Sequence, residues 1–547
     1  MSRTPLLGGL RKLFMDAHAA RRANVPLEAI AERREVEGPR VTRRQIVTAA
    51  SASALALAVP RPAFSKAQPT IAIVGGGIAG LTCALKLADR GIASTVYEAS
   101  GRAGGRMFSN TSYWSQGQVS EWGGELIDSG HETIQALAKR FKLPLDDLHA
   151  AEPRNSHDTY RLFNEYYTQQ NADADFLAQV AEAVAADAEA ADYPTRYDSF
   201  TDAGALLDSM SVYDWIESRV PGGHRSRLGM LLDLAYNTEY GAETKDQSAL
   251  NLVYLLGYQP DDEGLSVFGE SDERYHIRGG NQQLPNRMAA ELGNVVYGYS
   301  LCRLRRTSAG RYSLSFDRGG GSSVEVVADY VVLAIPFAVL RDIDVSRAGF
   351  DALKLEAIHE LGRGHNAKTQ LQFSQRIWNG RGSWPGVSNG SSYSDTGYQS
   401  SWEATRAQPG THGILVFYSG GAVTNALVSP RPFATVAEPS VLTDATTTLR
   451  RAEPVFRGLS SVWTGRATQS IPHKSEFFKA SYAYFRVGQY LSFAGYEGVS
   501  QGGVLFCGEH TSQDFQGFME GGASEGKRAA RELAHMIRGN YDNLDAI

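Results

Sequence analysis

The strongest constraint on this chain is a six-residue run, Gly75-Gly76-Gly77-Ile78-Ala79-Gly80. It lies between the β-branched segment Ile71-Ala72-Ile73-Val74 and an apolar stretch from Leu81 to Asp89. Glycines spaced Gly-x-Gly-x-x-Gly between a strand and a helix specify a Rossmann-type dinucleotide site. Gly75 permits the tight turn, Gly77 lets the backbone approach a pyrophosphate, and Gly80 lets the helix pack closely on its strand. The helix N-terminus then offers unpaired N–H groups and a positive dipole end to the phosphates. A second strand, Ser94-Thr95-Val96-Tyr97, ends at Glu98, about twenty residues on, where this fold places the carboxylate that binds ribose hydroxyls.

At 547 residues the chain exceeds one ordinary domain, so two intertwined or successive domains are expected. Its net charge of −6 gives no whole-chain reason for nucleic-acid binding. The cysteines, Cys83, Cys302 and Cys507, are too scattered for a disulfide framework, and each is expected as a small buried hydrophobe. The histidines show no ligand spacing, so no metal site is expected. Gly319-Gly320-Gly321-Ser322-Ser323 reads as a hairpin tip. Residues 151–270 carry Ala, Asp and Leu at helical spacing, as from Phe176 to Ala190, with no chemical motif.

Residues 1–67 read differently. Leu6, Leu10, Leu13, Phe14 and Ala17 fall at helical spacing among arginines and lysines. Thr42-Arg43-Arg44-Gln45-Ile46-Val47 then precedes a small apolar run, Ala49 to Val59, too short to span a bilayer. Pro60, Pro62 and Ser65-Lys66-Ala67 close the segment. This resembles a twin-arginine export signal, which implies a periplasmic or secreted enzyme exported folded. Val47-Thr48 departs from that signal's usual Leu-Lys, and the stretch before the arginines is long. The alternative is a retained amphipathic arm on a cytoplasmic protein, docked on the body or on a second subunit.

Gly101-Arg102-Ala103-Gly104-Gly105-Arg106 follows the second strand, and Gly123-Gly124-Glu125 comes soon after. At the other end stand Gly508-Glu509-His510-Thr511 and Gly517-Phe518-Met519-Glu520-Gly521-Gly522, the latter opening an amphipathic helix. Together these resemble the flavin amine oxidase family, which includes monoamine, polyamine and L-amino-acid oxidases. Three further segments fit the resemblance: Arg278-Gly279-Gly280-Asn281, Ala328-Asp329-Tyr330-Val331-Val332-Leu333-Ala334-Ile335-Pro336, and Lys368 with Trp378.

The resemblance implies an α/β fold. A discontinuous FAD-binding domain would be assembled from residues 68–150, 271–342 and 486–547. A substrate domain, helical over 151–270 and mixed-sheet over 343–485, would be inserted into it. FAD would be wrapped by Gly75, Gly77, Gly80, Glu98, Arg102, Arg106, Gly123, Gly124 and Glu125. Glu509 would contact the ribityl chain, and the N–H groups near Met519 would face the flavin pyrimidine. A helix N-terminus there would stabilise the charge of the reduced ring. Lys368 would hold a water near flavin N5. Phe518 and Tyr482, with Tyr484 as the other candidate, would form an aromatic cage for the substrate nitrogen. Ser481 stands where some monoamine oxidases carry the cysteine that bonds flavin, which implies non-covalent FAD.

The implied reaction is oxidative deamination of a small-molecule amine by hydride transfer to flavin. Its products would be an imine, then ammonia and an aldehyde or keto acid, with oxygen the expected acceptor and hydrogen peroxide its product. L-amino-acid oxidases and tryptophan monooxygenases carry an arginine just after the second glycine segment. Gly123-Gly124-Glu125-Leu126-Ile127-Asp128-Ser129 lacks it, which leans towards an amine without a carboxylate, Arg486 being the alternative grip. An L-amino-acid oxidase, a desaturase or porphyrinogen oxidase, and a non-catalytic escort protein stay open as alternatives. No integral membrane segment is expected, and there is room for a homodimer.

Overall fold

The computed structural model describes residues 69–260 and 265–538. The signal or arm expected over residues 1–67 lies outside the described residues. Two sheets organise the rest. In chain order their strands are β1 (Ile71–Val74), β2 (Thr95–Glu98), β3 (Ser156–Leu162), β4 (Glu165–Thr168), β5 (Val295–Tyr297), β6 (Tyr330–Leu333) and β7 (Ala367–Phe373). Next come β8 (Val387–Ser394), β9 (Gln399–Glu403), β10 (Gly413–Ser419), β11 (Phe433–Thr435), β12 (Trp463–Ser470) and β13 (Val504–Phe506). The helices that matter for the site are α1 (Ile78–Ala88), α2 (Glu132–Arg140), α3 (Arg227–Tyr240), α4 (Gln283–Leu292) and α5 (Met519–Arg538).

The first sheet runs β13-β6-β1-β2-β5, and every neighbouring pair is parallel. Strands β1, β6 and β13 are apolar and almost wholly buried, as a parallel sheet covered on both faces requires. Helices α1 and α5 cross closely through small residues. A Cβ on Gly526 would lie 2.2 Å from the Ala79 carbonyl oxygen, and one on Gly522 would lie 2.8 Å from Ile78. The strands thus come from widely separated parts of the chain.

The second sheet has eight strands in the order β11-β12-β7-β10-β9-β8-β3-β4. It is mixed: β8 and β3 run parallel, while the other pairs, such as β7–β10 and β7–β12, run antiparallel. Residues 151–270 are not helical from the start. They open with the β3–β4 hairpin, which completes this sheet's edge, before the helices begin at Gln169. Periodicity missed the hairpin because Ser156–Leu162 alternates weakly, with polar side chains half-buried at the seam. The expected hairpin tip falls in the turn between strands Tyr312–Asp317 and Ser323–Ala328.

Cys83 and Cys507 are buried, but Cys302 is exposed, which corrects the expectation for that residue. Leu301 and Leu304 take the inward positions of strand Ser300–Arg306, and an irregularity between Leu301 and Arg303 leaves Cys302 outside. No helix among the described residues is long and apolar enough to cross a membrane.

Candidate active site

The glycine turn and the second glycine run form one unit. Gly104 N–H donates to the Gly76 carbonyl (2.8 Å), and Gly77 bridges Gly104. The glycines divide by what surrounds them. Gly75 has φ +108°, and a Cβ there would meet the Ala334 carbonyl oxygen at 2.5 Å; one on Gly80 would meet the Gly75 oxygen at 2.0 Å. A Cβ on Gly77 would meet nothing within 4 Å. Two of the glycines therefore close the fold, and the third borders open space.

Helix α1 begins at that opening with no side-chain cap and no acidic residue in its first turn, leaving its N–H groups to an anion. Glu98, at the end of β2, accepts from Gly76 N–H (2.7 Å) and from Ser100 N–H (2.8 Å). Arg102 is turned to the loop itself, donating to the Gly105 carbonyl (2.7 Å) and lying 3.8 Å from the Phe108 ring centroid. Burial lowers its pKa to about 10. Arg106 joins the two ends of the chain by donating to Glu509 (2.8 Å) and to the Ser481 carbonyl (2.8 Å). Glu509 also receives Gly517 N–H (3.0 Å).

The C-terminal glycine segment seats against the second N-terminal one. A Cβ on Gly124 would lie 2.9 Å from Met519, and one on Gly123 would lie 1.8 Å from the Arg106 carbonyl oxygen. Glu520 reaches across to accept from Thr133 and Ile134 N–H (3.0 and 2.8 Å), closing the first turn of α2 in the manner of a capping carboxylate. Both ring nitrogens of His510 and both amide atoms of Gln516 are buried without partners. The residues present fit a dinucleotide flavin, held by Gly77 and the α1 N-terminus at its phosphates and by Glu98 at a ribose.

Facing this cradle is the second sheet. All seven residues of β7 are buried, Lys368 among them. Its Nζ donates to Glu125 Oε2 (2.6 Å) and to the Gly123 carbonyl (2.8 Å). Trp402 Nε1–H donates to the other Glu125 oxygen (3.0 Å), and its ring lies 5.4 Å from the ammonium. The ion pair joins a residue expected at the cofactor to one expected at its reactive edge, a link that local spacing does not show.

Strand register builds an aromatic box beside that pair. Lys368 is opposite Tyr418, and Tyr418 is opposite Ser400, so Trp402, two residues on, shares their face. Trp402 and Tyr418 meet edge to face at 5.2 Å. Tyr418 and Tyr482 share a hydrogen bond between their hydroxyls (3.0 Å). The Tyr482 ring lies over Gly517, 3.5 Å from where a Cβ would stand. Burial holds both phenols well above the usual tyrosine range, so they act as neutral hydrogen-bonding groups. Phe518, half-buried, packs edge to face on His131 at 5.2 Å. Burial lowers the pKa of His131 to about 4 despite Asp128 at 3.3 Å.

The structure places the Tyr482 ring over Gly517, while Phe518, the next residue in the chain, packs on His131. Tyr484 is buried in a short pairing with Gly362, away from the box. Arg486 lies 4.0 Å from Glu360 and is not in the box either. Trp402 and Tyr418 were not legible as site residues; each shows only as an aromatic in an alternating strand. Among the described residues no group of three His, Cys, Asp or Glu side chains could hold a metal.

The chain is 24% identical over 488 residues to YobN of Bacillus subtilis, a candidate L-amino-acid oxidase by name, covering 85% of this chain and 94% of that protein. It is 24% identical over 477 residues to the nicotine dehydrogenase of Pseudomonas putida, covering 85% and 88%. Among solved structures, cyclohexylamine oxidase from Brevibacterium oxydans superposes with a TM-score of 0.71 at 19% identity, covering 86% of this chain and 99% of that one. A putrescine oxidase bound to putrescine superposes at 0.68 and 17%, covering 85% and 99%. Residues 78–534 match the family described as flavin containing amine oxidoreductase, and the chain belongs to that family of oxidoreductases.

Proposed function

We propose that this protein oxidises a small-molecule amine lacking a carboxylate, using non-covalently bound FAD. The observation that carries the reading is the aromatic box of Trp402, Tyr418 and Tyr482, set beside the buried Lys368–Glu125 pair and the open glycine cradle. Bound FAD supplies the two-electron acceptor for hydride leaving the carbon next to the amine nitrogen. The box excludes water and orients the nitrogen lone pair by its ring faces. Lys368, fixed by Glu125 and the Gly123 carbonyl, holds a water near the reacting centre. Water then splits the imine to a carbonyl compound and ammonia, and oxygen takes the electrons to give hydrogen peroxide.

The absence of a carboxylate is supported by charge. Arg106 is committed to Glu509 and Arg406 to Glu152, so neither guanidinium is spare for bidentate capture. The relatives' names span amines and L-amino acids, so the test is a substrate panel. Purified protein should be yellow, should be bleached by amines without oxygen, and should release peroxide with it. Bleaching by L-amino acids alone refutes the amine reading, and colourless protein that refuses FAD refutes the whole. The Thr42-Arg43-Arg44-Gln45 run supports export of the loaded protein; fractionation of cells expressing the chain, with and without Arg43→Lys/Arg44→Lys, tests that.

A further inference from the structure

Lys368 meets the aromatic box already paired. Its Nζ donates to Glu125 Oε2 at 2.6 Å and to the Gly123 carbonyl at 2.8 Å. An ammonium has three N–H donors, so one is left for the water that the proposed chemistry requires. Glu125 is held in turn from its other side, where Oε1 accepts from Trp402 Nε1–H (3.0 Å). An ionised carboxylate only accepts, so a bridge between two donors suits it. The Lys368 and Glu125 side chains are 10% and 6% exposed, and solvent ions do little to screen a pair so enclosed.

Opposite charges 2.6 Å apart act on their surroundings as a dipole. A group several ångströms away meets two opposed fields that largely cancel. The cation at the junction of the glycine segments is matched in the same way, Arg106 by Glu509 at 2.8 Å. The Trp402 ring, 5.4 Å from the ammonium, adds no net charge.

This cancellation bears on the oxygen step. Oxygen takes two electrons and one proton from the reduced, anionic cofactor and one proton from solvent, and leaves as hydrogen peroxide. Its first electron turns a neutral molecule into an anion, which a bare cation alongside would stabilise. A cation matched at 2.6 Å by a buried carboxylate gives that developing charge little help. Holding a water needs only the remaining N–H, which the pairing leaves in place.

We propose that Glu125 is a positioning residue that masks the charge of Lys368, so that the lysine holds water but oxygen is a slow acceptor for this enzyme. The proposal rests on the flavin chemistry argued above and adds the residue that sets the rate of its oxygen step.

The test uses FAD-loaded full-length protein, photoreduced without air so that no amine is needed, and mixed with oxygen in a stopped-flow instrument. Wild-type protein should be reoxidised no more than about tenfold faster than free reduced FAD in the same buffer. Glu125→Gln keeps the side chain's shape and leaves the ammonium on the Gly123 carbonyl. It should react with oxygen about tenfold faster than wild type. Its flavin midpoint potential, read by equilibration with reference dyes, should rise, and that of Lys368→Met should fall, because the first loses a negative charge and the second a positive one. A role confined to bracing the lysine predicts the opposite: slower reoxidation in Glu125→Gln and no rise in potential. Wild-type reoxidation beyond about tenfold that of free FAD overturns the proposal and needs no variant to fold. Glu125→Gln reoxidised no faster than wild type, or with an unraised potential, overturns it too. Loaded protein that shows the expected pattern but that no amine bleaches overturns the amine reading and leaves this inference standing.

Discussion

The Lys368–Glu125 pair can be tested by its energy as well as its chemistry. The two side chains are 10% and 6% exposed and meet at 2.6 Å, so solvent screens them little. In Lys368→Met the carboxylate keeps only the Trp402 N–H (3.0 Å); stranding a buried charge in this way costs about 3–5 kcal/mol. In Glu125→Gln the ammonium retains the Gly123 carbonyl (2.8 Å) and the Trp402 ring at 5.4 Å, which together offset part of the loss, so about 2–3 kcal/mol is expected. The double variant removes both charges and should cost less than the sum by about 2–3 kcal/mol. Urea unfolding followed by tryptophan fluorescence, with FAD held at one saturating concentration, measures all four corners. Flavin reduction should slow about a hundredfold or more in Lys368→Met if the lysine places the reacting water. Two single variants each costing under about 1 kcal/mol, with additive effects, would refute a dry, coupled pair.

Gly77→Ala should leave the fold intact, because its Cβ meets nothing within 4 Å and its φ of −75° suits any residue, but should weaken FAD binding about a hundredfold by filling the phosphate approach. Gly80→Ala should instead lower the unfolding midpoint, by about 3 kcal/mol, since its Cβ would stand 2.0 Å from the Gly75 oxygen; FAD titration and urea melts separate the two, and equal behaviour of both variants refutes the division. His131 and His510 are both held neutral by burial, His131 to about 4 and His510 well below its usual range. The unfolded chain therefore takes up protons that the folded one refuses. Stability present above about pH 6.5 should fall as pH drops towards 4, by roughly 3 kcal/mol for His131, and an acid limb undiminished in His131→Gln refutes that source. Acid precipitation should release the yellow cofactor into the supernatant, since Ser481 offers no thiol; colour retained in the pellet contradicts non-covalent binding.

Much of the fold was legible because its determinants are local. Gly75 to Gly80, with the strand before and the helix after, specifies the first βα unit, and Gly517 to Gly522 marks the helix that covers it. The β3–β4 hairpin escaped because polar residues such as His157 and Asp158 mask the alternation at a sheet edge. The site was legible only where one segment carries several of its residues, as with Gly517-Phe518-Met519. Trp402 and Tyr418 join it by cross-strand register with Lys368, and a backbone carbonyl of α3 joins it by accepting from Tyr482. Sequence periodicity reports which face a residue takes, not which strand lies beside it. Arg102, expected around FAD from its place between glycines, donates to carbonyls of its own loop.

The order of strands in the parallel sheet has a temporal meaning. Because β13 lies against β6 and β6 against β1, a growing chain presents the front of the cradle some four hundred residues before Glu509 and Met519 can reach it. The Arg106–Glu509 clasp can close only once residue 509 has been made, so the cradle's two halves meet late in the order of synthesis. Loss of helix α5 would remove Met519, which seats against Gly124, while leaving the Gly75–Gly80 turn in the chain.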